Sequence, residues 1–370
     1  MNVSLGNNVT YIENEWEYLK RVYKVTPLTT VGYIACAMYL FLVGVLATFG
    51  NVVVLHIFYK NKKLLKNPQN LFILNLTISD LGISLFGYPL TTTSCFAQRF
   101  LYGEIGCLIQ AFTTFILALS DMKTLVGLSV YRYIYMCWPH LKHRLTVDFT
   151  KKVIAGLWLY SLFWAVMPLV GWSRYALEPF GTSCSIDWTL RTINGRTYTS
   201  ALIFFCFVVN IGIIGFSYWN VVRTSRRLMR RLRTTMASIS IEEAVEQRNI
   251  SKEDRLVWIT MAMVVSYAVL WSPYAILAVV FTTVDGLAPW MSTIPTMMCK
   301  SSCLVNPLIY CMFNQDFRNY VVGICSRRRK VGEAVKNKPI KRVIIVDRTR
   351  EGVYIGNAEV EVRPDNRILF

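Results

Sequence analysis

Seven long apolar runs dominate the chain, at roughly 31–58, 69–95, 105–130, 153–172, 200–222, 256–282 and 289–313. About 20 helical residues cross the hydrocarbon core of a bilayer, so each run is long enough or nearly so. Inside lipid every backbone N–H and C=O must find its partner within the protein, and a helix does this locally. The expected architecture is therefore an all-α membrane protein, a bundle of seven transmembrane helices. Composition agrees, with 54% hydrophobic and 17% charged residues and a mean hydropathy of +0.38, which is too apolar for an ordinary soluble domain.

Lys and Arg set the expected orientation. Basic clusters fill the first loop (Lys60, Lys62, Lys63, Lys66), the third (Lys142, Arg144, Lys151, Lys152), the fifth (Arg223 to Arg255) and the tail (Arg327 to Lys330). By the positive-inside rule these face the cytoplasm and the N-terminus lies outside. The net charge of +18 is then mostly this bias, suited to anionic lipid and an acidic partner, and nucleic acid is not an expected ligand. Residues 1–30 form an extracellular tail without a cleavable apolar segment, so the first span directs insertion. Two sequons, at Asn2 and Asn8, could carry glycans there.

Polar residues inside the spans are costly and need partners. Asn51 in span one, Asp80 in span two and Asn306 in span seven are economically placed if they face one another; the alternative is that they face a wet cavity. Cys107 and Cys184 both fall on the outer side, where they can meet as a disulfide that ties the second outer loop to span three. The other eight cysteines read as reduced packing residues. In span three Gln110, Asp121 and Arg132 recur every eleven residues and share a face, so Asp121 lines the interior. Lys123 points nearly opposite and either snorkels along lipid or meets another helix.

Lys300 lies deep in the seventh run. A desolvated amine loses its charge more readily and becomes a nucleophile toward an aldehyde, forming a Schiff base. The plainer reading is a lysine that snorkels to the interface or pairs with a buried acid.

Asp80, Arg132 at the inner end of span three, Trp271-Ser272-Pro273 in span six and Asn306-Pro307-Leu308-Ile309-Tyr310 in span seven together resemble a rhodopsin-class G-protein-coupled receptor over about residues 31–326. Lys300, six residues before Asn306, is similar to the retinal-binding lysine of opsins. The string K-S-S-x-x-x-N-P resembles the neuropsin-like and peropsin-like non-visual opsins, and Glu178-Pro179-Phe180-Gly181-Thr182-Ser183-Cys184 looks closest to neuropsins.

The resemblance implies a light-sensing receptor that holds retinal on Lys300 as a Schiff base, with Trp271 and Tyr274 against the polyene. Vertebrate visual opsins place a glutamate three residues after the span-three cysteine; this chain has Gln110 there, and the resemblance places it among the retinal-binding residues. Glu178, six residues before Cys184, matches the second-loop counterion of most other opsins and is the expected counterion, directly or through water. On the inner side Arg132, Tyr218, Asn306, Pro307 and Tyr310 form the implied activation switch, with Asp80 and Asn51 in its polar core. Two departures bear on it. Tyr131 replaces the acid that normally precedes Arg132, which implies raised dark activity or altered coupling. Asn210 stands where the family usually has proline, which puts the helix-five bulge in doubt.

The domain reading is a tail at 1–30, the bundle at 31–313, an amphipathic eighth helix at 314–326 ending at the palmitoylation candidate Cys325, and a cytoplasmic tail at 327–370. The implied partners are retinal as 11-cis or all-trans isomer, a heterotrimeric G protein of Gi/o or Gq type, and arrestin, at the plasma membrane. With three histidines and no metal-ligand spacing or phosphate loop, neither a metal nor enzyme chemistry is expected. The rival reading is a retinal photoisomerase with little signalling. A third is a receptor for a non-retinal ligand.

Overall fold

In the computed structural model, residues 25–234, 241–284, 287–313 and Arg318 are described. The sequons at Asn2 and Asn8, the eighth helix apart from Arg318, Cys325 and the tail at 327–370 lie outside them.

Span one is the helix Thr30–Lys60, started by Thr29, whose hydroxyl accepts from the Gly32 amide at 3.1 Å. Span two begins at Pro68 behind an Asn67 cap. It runs as Pro68–Phe86, breaks at Gly87, and resumes as Tyr88–Phe96. Span three is Gly103–Cys137, and span four is Val147–Val166 behind the Thr146 cap. Span five has three parts: Ile193–Leu202, a π-helical segment Ile203–Val208, and Val209–Thr234. Span six, Ile241–Phe281, carries Pro273 inside it.

Among the described residues six spans are single long apolar stretches. The seventh run was expected as one helix and is two, Pro289–Lys300 and Ser302–Phe313, each of 12 residues. Together they reach about the thickness of a bilayer at 1.5 Å per residue. Pro307 explains how the broken span is held. Proline has no N–H, so the Cys303 carbonyl four residues earlier loses its helical donor. The Asn51 amide supplies one instead, donating to Cys303 O at 3.0 Å. Gly50 makes that reach possible, because a Cβ there would sit 2.8 Å from the Pro307 Cβ.

Large apolar side chains point outward on most spans, among them Phe41, Leu42, Phe216 and Trp219, as a lipid-facing surface requires. Span three is central and packs against spans two, four, five and six and against both strands. Its face bearing Gln110, Asp121 and Arg132 is buried as the eleven-residue spacing predicts.

The segment between spans four and five folds over one end of the bundle as a two-stranded antiparallel hairpin. Strand β1 is Tyr175–Leu177 and β2 is Cys184–Ile186, with Tyr175 opposite Ile186 and Leu177 opposite Cys184. The Cys107–Cys184 disulfide, with Cα atoms 5.4 Å apart, ties β2 to the start of span three. Among the described residues Cys36, Cys95, Cys137, Cys206, Cys299 and Cys303 are free thiols.

Candidate functional site: a lysine-bearing cavity beneath the hairpin

The hairpin roofs a cavity walled by spans two, three, five, six and seven, with about 1110 Å³ of empty space including its open mouth. Phe115, Leu119, Met122, Phe207 and Trp271 make most of the wall apolar. Lys300, Glu178 and Tyr274 supply much of its polar lining. The apolar wall with a few convergent polar groups suits an apolar small-molecule ligand.

Lys300 ends the first half of span seven, where the Ser301 amide turns back to the Met297 and Met298 carbonyls. The Lys300 carbonyl accepts from the Tyr88 hydroxyl of span two, and Ser301 Oγ hydrogen-bonds the Tyr39 hydroxyl of span one. The backbone at the lysine is thus pinned from two sides. Its amine reaches the roof, donating to Ser183 Oγ at 3.3 Å.

Ser183 and Glu178 occupy the two ends of the hairpin turn. The Glu178 amide donates to Ser183 O at 2.8 Å, and the Gly181 amide to Glu178 O at 2.8 Å. Gly181 has φ of 76°, a left-handed conformation suited to glycine. Phe180 in the turn is fully buried, and its carbonyl accepts from the Tyr33 hydroxyl at 2.9 Å. The Thr26 amide donates to Pro179 O at 2.7 Å. These contacts hold the acid in place. Glu178 is 5% exposed; its Oε1 accepts from the Tyr274 hydroxyl at 3.2 Å, and Oε2 has no hydrogen-bond partner among the described residues. Trp188 in turn donates to the Tyr274 hydroxyl at 2.9 Å.

Trp271 and Tyr274 line the cavity as the sequence suggests, and Trp271 stacks on Tyr267 with ring centroids 5.3 Å apart. Gln110 is a correction: it is buried behind the wall and does not line the cavity. Its amide group donates to Thr91 Oγ1 at 2.9 Å and to the Gly87 carbonyl at the break in span two, while its Oε1 accepts from the Cys184 amide at 3.2 Å. It fastens β2 to span two, so its hydrogen bonds are already used.

Below the cavity the polar core assembles largely as expected. Asn306 donates to Asp80 Oδ2 at 2.9 Å, and both Asp80 and Asp121 are buried. Asn51 does not touch Asp80 through a hydrogen bond; its amide serves the Ala47 and Cys303 carbonyls. At the opposite end from the hairpin, Arg132, Tyr218 and Tyr310 are all buried. Tyr131 is buried too, stacked on Tyr135 and edge-on to Phe72.

Span five resolves its open question. The bulge is present despite Asn210, and Lys123 meets span five, donating to Asn210 Oδ1 at 2.8 Å. Sequence reasoning passed over Ser183, although its position beside Cys184 was the available signal, because the disulfide fixes whatever precedes it. It also left Lys123 and Asn210 unpaired, although two unexplained polar residues in neighbouring spans were themselves a clue.

The comparisons match this geometry. The family described as 7 transmembrane receptor (rhodopsin family) matches residues 50–310. Two rhodopsins of Mizuhopecten yessoensis are similar. The G0-coupled one is 30% identical over 87% of this chain and 79% of its own length, and the GQ-coupled one is 33% identical over 93% and 75%. Opsin-5 of Homo sapiens is 31% identical over 77% of this chain and 79% of its own length. The crystal structure of squid rhodopsin superposes with a TM-score of 0.74 at 27% identity, covering 82% of this chain and 87% of that one. A multi-pass membrane protein with this fold and these relatives belongs to the rhodopsin family of seven-transmembrane receptors and, within it, to the opsins, the light-sensing G-protein-coupled receptors.

Proposed function

We propose that this receptor carries retinal on Lys300 and that Glu178 is the counterion of the resulting Schiff base. The observation that carries the reading is the amine itself. Lys300 Nζ reaches into a largely apolar cavity and meets Ser183 Oγ, while the buried Glu178 keeps one carboxylate oxygen without a partner. A cationic nitrogen near that oxygen would satisfy an otherwise costly buried acceptor. Bound retinal would supply the light-driven change of shape.

The chain's own residues supply the rest. Trp271 and Tyr274 form the wall toward span six, whose Pro273 weakens the helix where movement is needed. Tyr274 orients Glu178 through their hydrogen bond. Arg132, Tyr131, Tyr218, Asn306, Pro307 and Tyr310 form the switch at the other end, with Asp80 and Asn51 between. The distribution of basic loops supports an extracellular N-terminus in the plasma membrane and a cytoplasmic face that takes a G protein and arrestin. One similar rhodopsin is G0-coupled and another GQ-coupled, so a Gi/o or a Gq partner is the choice to be tested. The receptor acts without enzyme turnover.

Reconstitution with 11-cis and with all-trans retinal, followed by spectra in dark and light, tests the reading. A visible band that disappears in Lys300→Ala supports it, and no band with either isomer overturns it. Light-dependent nucleotide exchange on an added G protein is expected. Retinal release without exchange would instead mark a photoisomerase.

A further inference from the structure

Span five changes its winding where it lines the cavity. At Ile203–Val208 the helix is π-helical, and the Val209 amide bonds to the Phe204 carbonyl, one residue further back than α geometry dictates. The Phe205 carbonyl therefore loses the amide that an α-helix would give it. Two side chains from other spans replace it: Lys123 Nζ of span three and the Tyr160 hydroxyl of span four, each at 3.3 Å. Lys123 also donates to Asn210 Oδ1 at 2.8 Å, and Asn210 Nδ2 donates to the Cys206 carbonyl at 2.5 Å. The Lys123 amine lies 3.9 Å from the centroid of the Tyr160 ring, a cation–π arrangement. Lys123 is only 8% exposed, and no carboxylate pairs with it among the described residues.

A buried lysine without an acid is expensive, and the hydrogen bonds of Lys123 go to Phe205 inside the distorted turn and to Asn210, two residues beyond its end. We infer that Lys123 is a positioning residue which, with Asn210 as its partner, holds the extra residue in span five and so fixes which side chains of that span face the ligand cavity.

The reason is rotational. Returning the segment to α geometry removes one residue from the wide turn and rotates one half of the helix against the other by about 100°. Ile203, Cys206 and Phe207 line the cavity, and Tyr218 is buried further along the same helix. Both placements cannot survive that rotation. Asn210 retains its backbone N–H and so does not force the wide turn by itself, whereas a proline at 210 would, through the clash of its ring with the carbonyl four residues earlier. Lys123 supplies from outside the helix what such a ring would supply from within.

The test compares full-length wild type, Lys123→Met and Lys123→Met/Asn210→Pro in detergent or nanodiscs. Melting of the retinal-free protein and the absorption maximum and dark stability of the retinal-loaded protein are both measured. Only the spectral part rests on the retinal reading. If wild type forms no pigment, that reading fails while the melting data still judge the clamp.

Lys123→Met is expected to lower the melting temperature, shift the absorption maximum and speed dark loss of chromophore about tenfold, the scale set by one hydrogen bond to a charged group. The double variant is expected to regain the wild-type absorption maximum and most of the stability. Should Lys123→Met fail to fold, recovery of a folded protein in the double variant supports the inference and failure of both overturns it. A single variant indistinguishable from wild type, or a double variant as impaired as the single, also overturns it.

Discussion

Glu178 and Ser183 face each other across the hairpin turn, joined by the Glu178 amide at 2.8 Å from the Ser183 carbonyl, and Ser183 Oγ is the atom the Lys300 amine touches. A serine thus stands in contact with the lysine, and a carboxylate stands beside that serine with one oxygen to spare. Charge and contact are divided between two residues. Their removal should have different consequences.

Glu178→Gln keeps the shape and the Tyr274 contact but removes the negative charge. A carboxylate within about 4–6 Å raises the proton affinity of a cationic partner by about 1–3 pH units. In the retinal-loaded variant the visible band should therefore disappear, as pH rises, at a midpoint lower than wild type by about that amount. A spectrophotometric titration measures it, and an unmoved midpoint would remove Glu178 as counterion.

Ser183→Ala removes a neutral hydrogen bond, worth about 1 kcal/mol net. The midpoint should fall by less than about one pH unit, 1.36 kcal/mol corresponding to one unit. Since Ser183 and Glu178 share one turn, the double variant should not show the sum of the two shifts. A larger shift in Ser183→Ala than in Glu178→Gln would make the serine the dominant partner.

The spans were legible because membrane crossing demands long apolar runs, and Lys300 was conspicuous because it violates that demand. Glu178 was legible through resemblance, by its distance from Cys184. What the sequence did not reveal depends on partners far apart in the chain. Lys123 and Asn210 are separated by 87 residues, and nothing in the local pattern of span five marks the turn that needs them. Gln110 looked like a ligand contact because of the position it occupies, yet its side chain is committed to Gly87, Thr91 and the Cys184 amide. The break after Lys300 escaped notice because the run 289–313 is apolar on both sides of it, and only the Ser301 amide, turned back to the Met297 and Met298 carbonyls, marks it.

Tyr131 fills a packed site, stacked on Tyr135 and edge-on to Phe72, where a carboxylate would be the usual neighbour of Arg132. Tyr131→Asp restores the acid and empties the aromatic site. Dark nucleotide exchange on a G protein should fall relative to wild type. The melting temperature should fall too, because losing a buried aromatic costs about 3–5 kcal/mol. Unchanged dark exchange in a variant that still folds would show that the tyrosine does not set basal activity.

Span one comes close to span seven at Gly50, where an added Cβ would lie 2.8 Å from the Pro307 Cβ. The neighbouring Asn51 fills the hydrogen bond that Pro307 leaves open at Cys303. Gly50→Ala should push the two spans apart and destabilise the protein by about 1–3 kcal/mol, as overpacking of a filled core does. Asn51→Leu should cost a comparable amount for a different reason, by leaving the buried Cys303 carbonyl without a donor, about 1–3 kcal/mol. Both are read as melting temperatures of the dark protein. The pair is diagnostic because the two changes meet at one proline. In Pro307→Ala the residue at 307 regains its amide, Cys303 can bond within its own helix, and Asn51→Leu should then cost much less than in wild type. Equal costs in the two backgrounds would show that Asn51 does not serve the proline's missing donor.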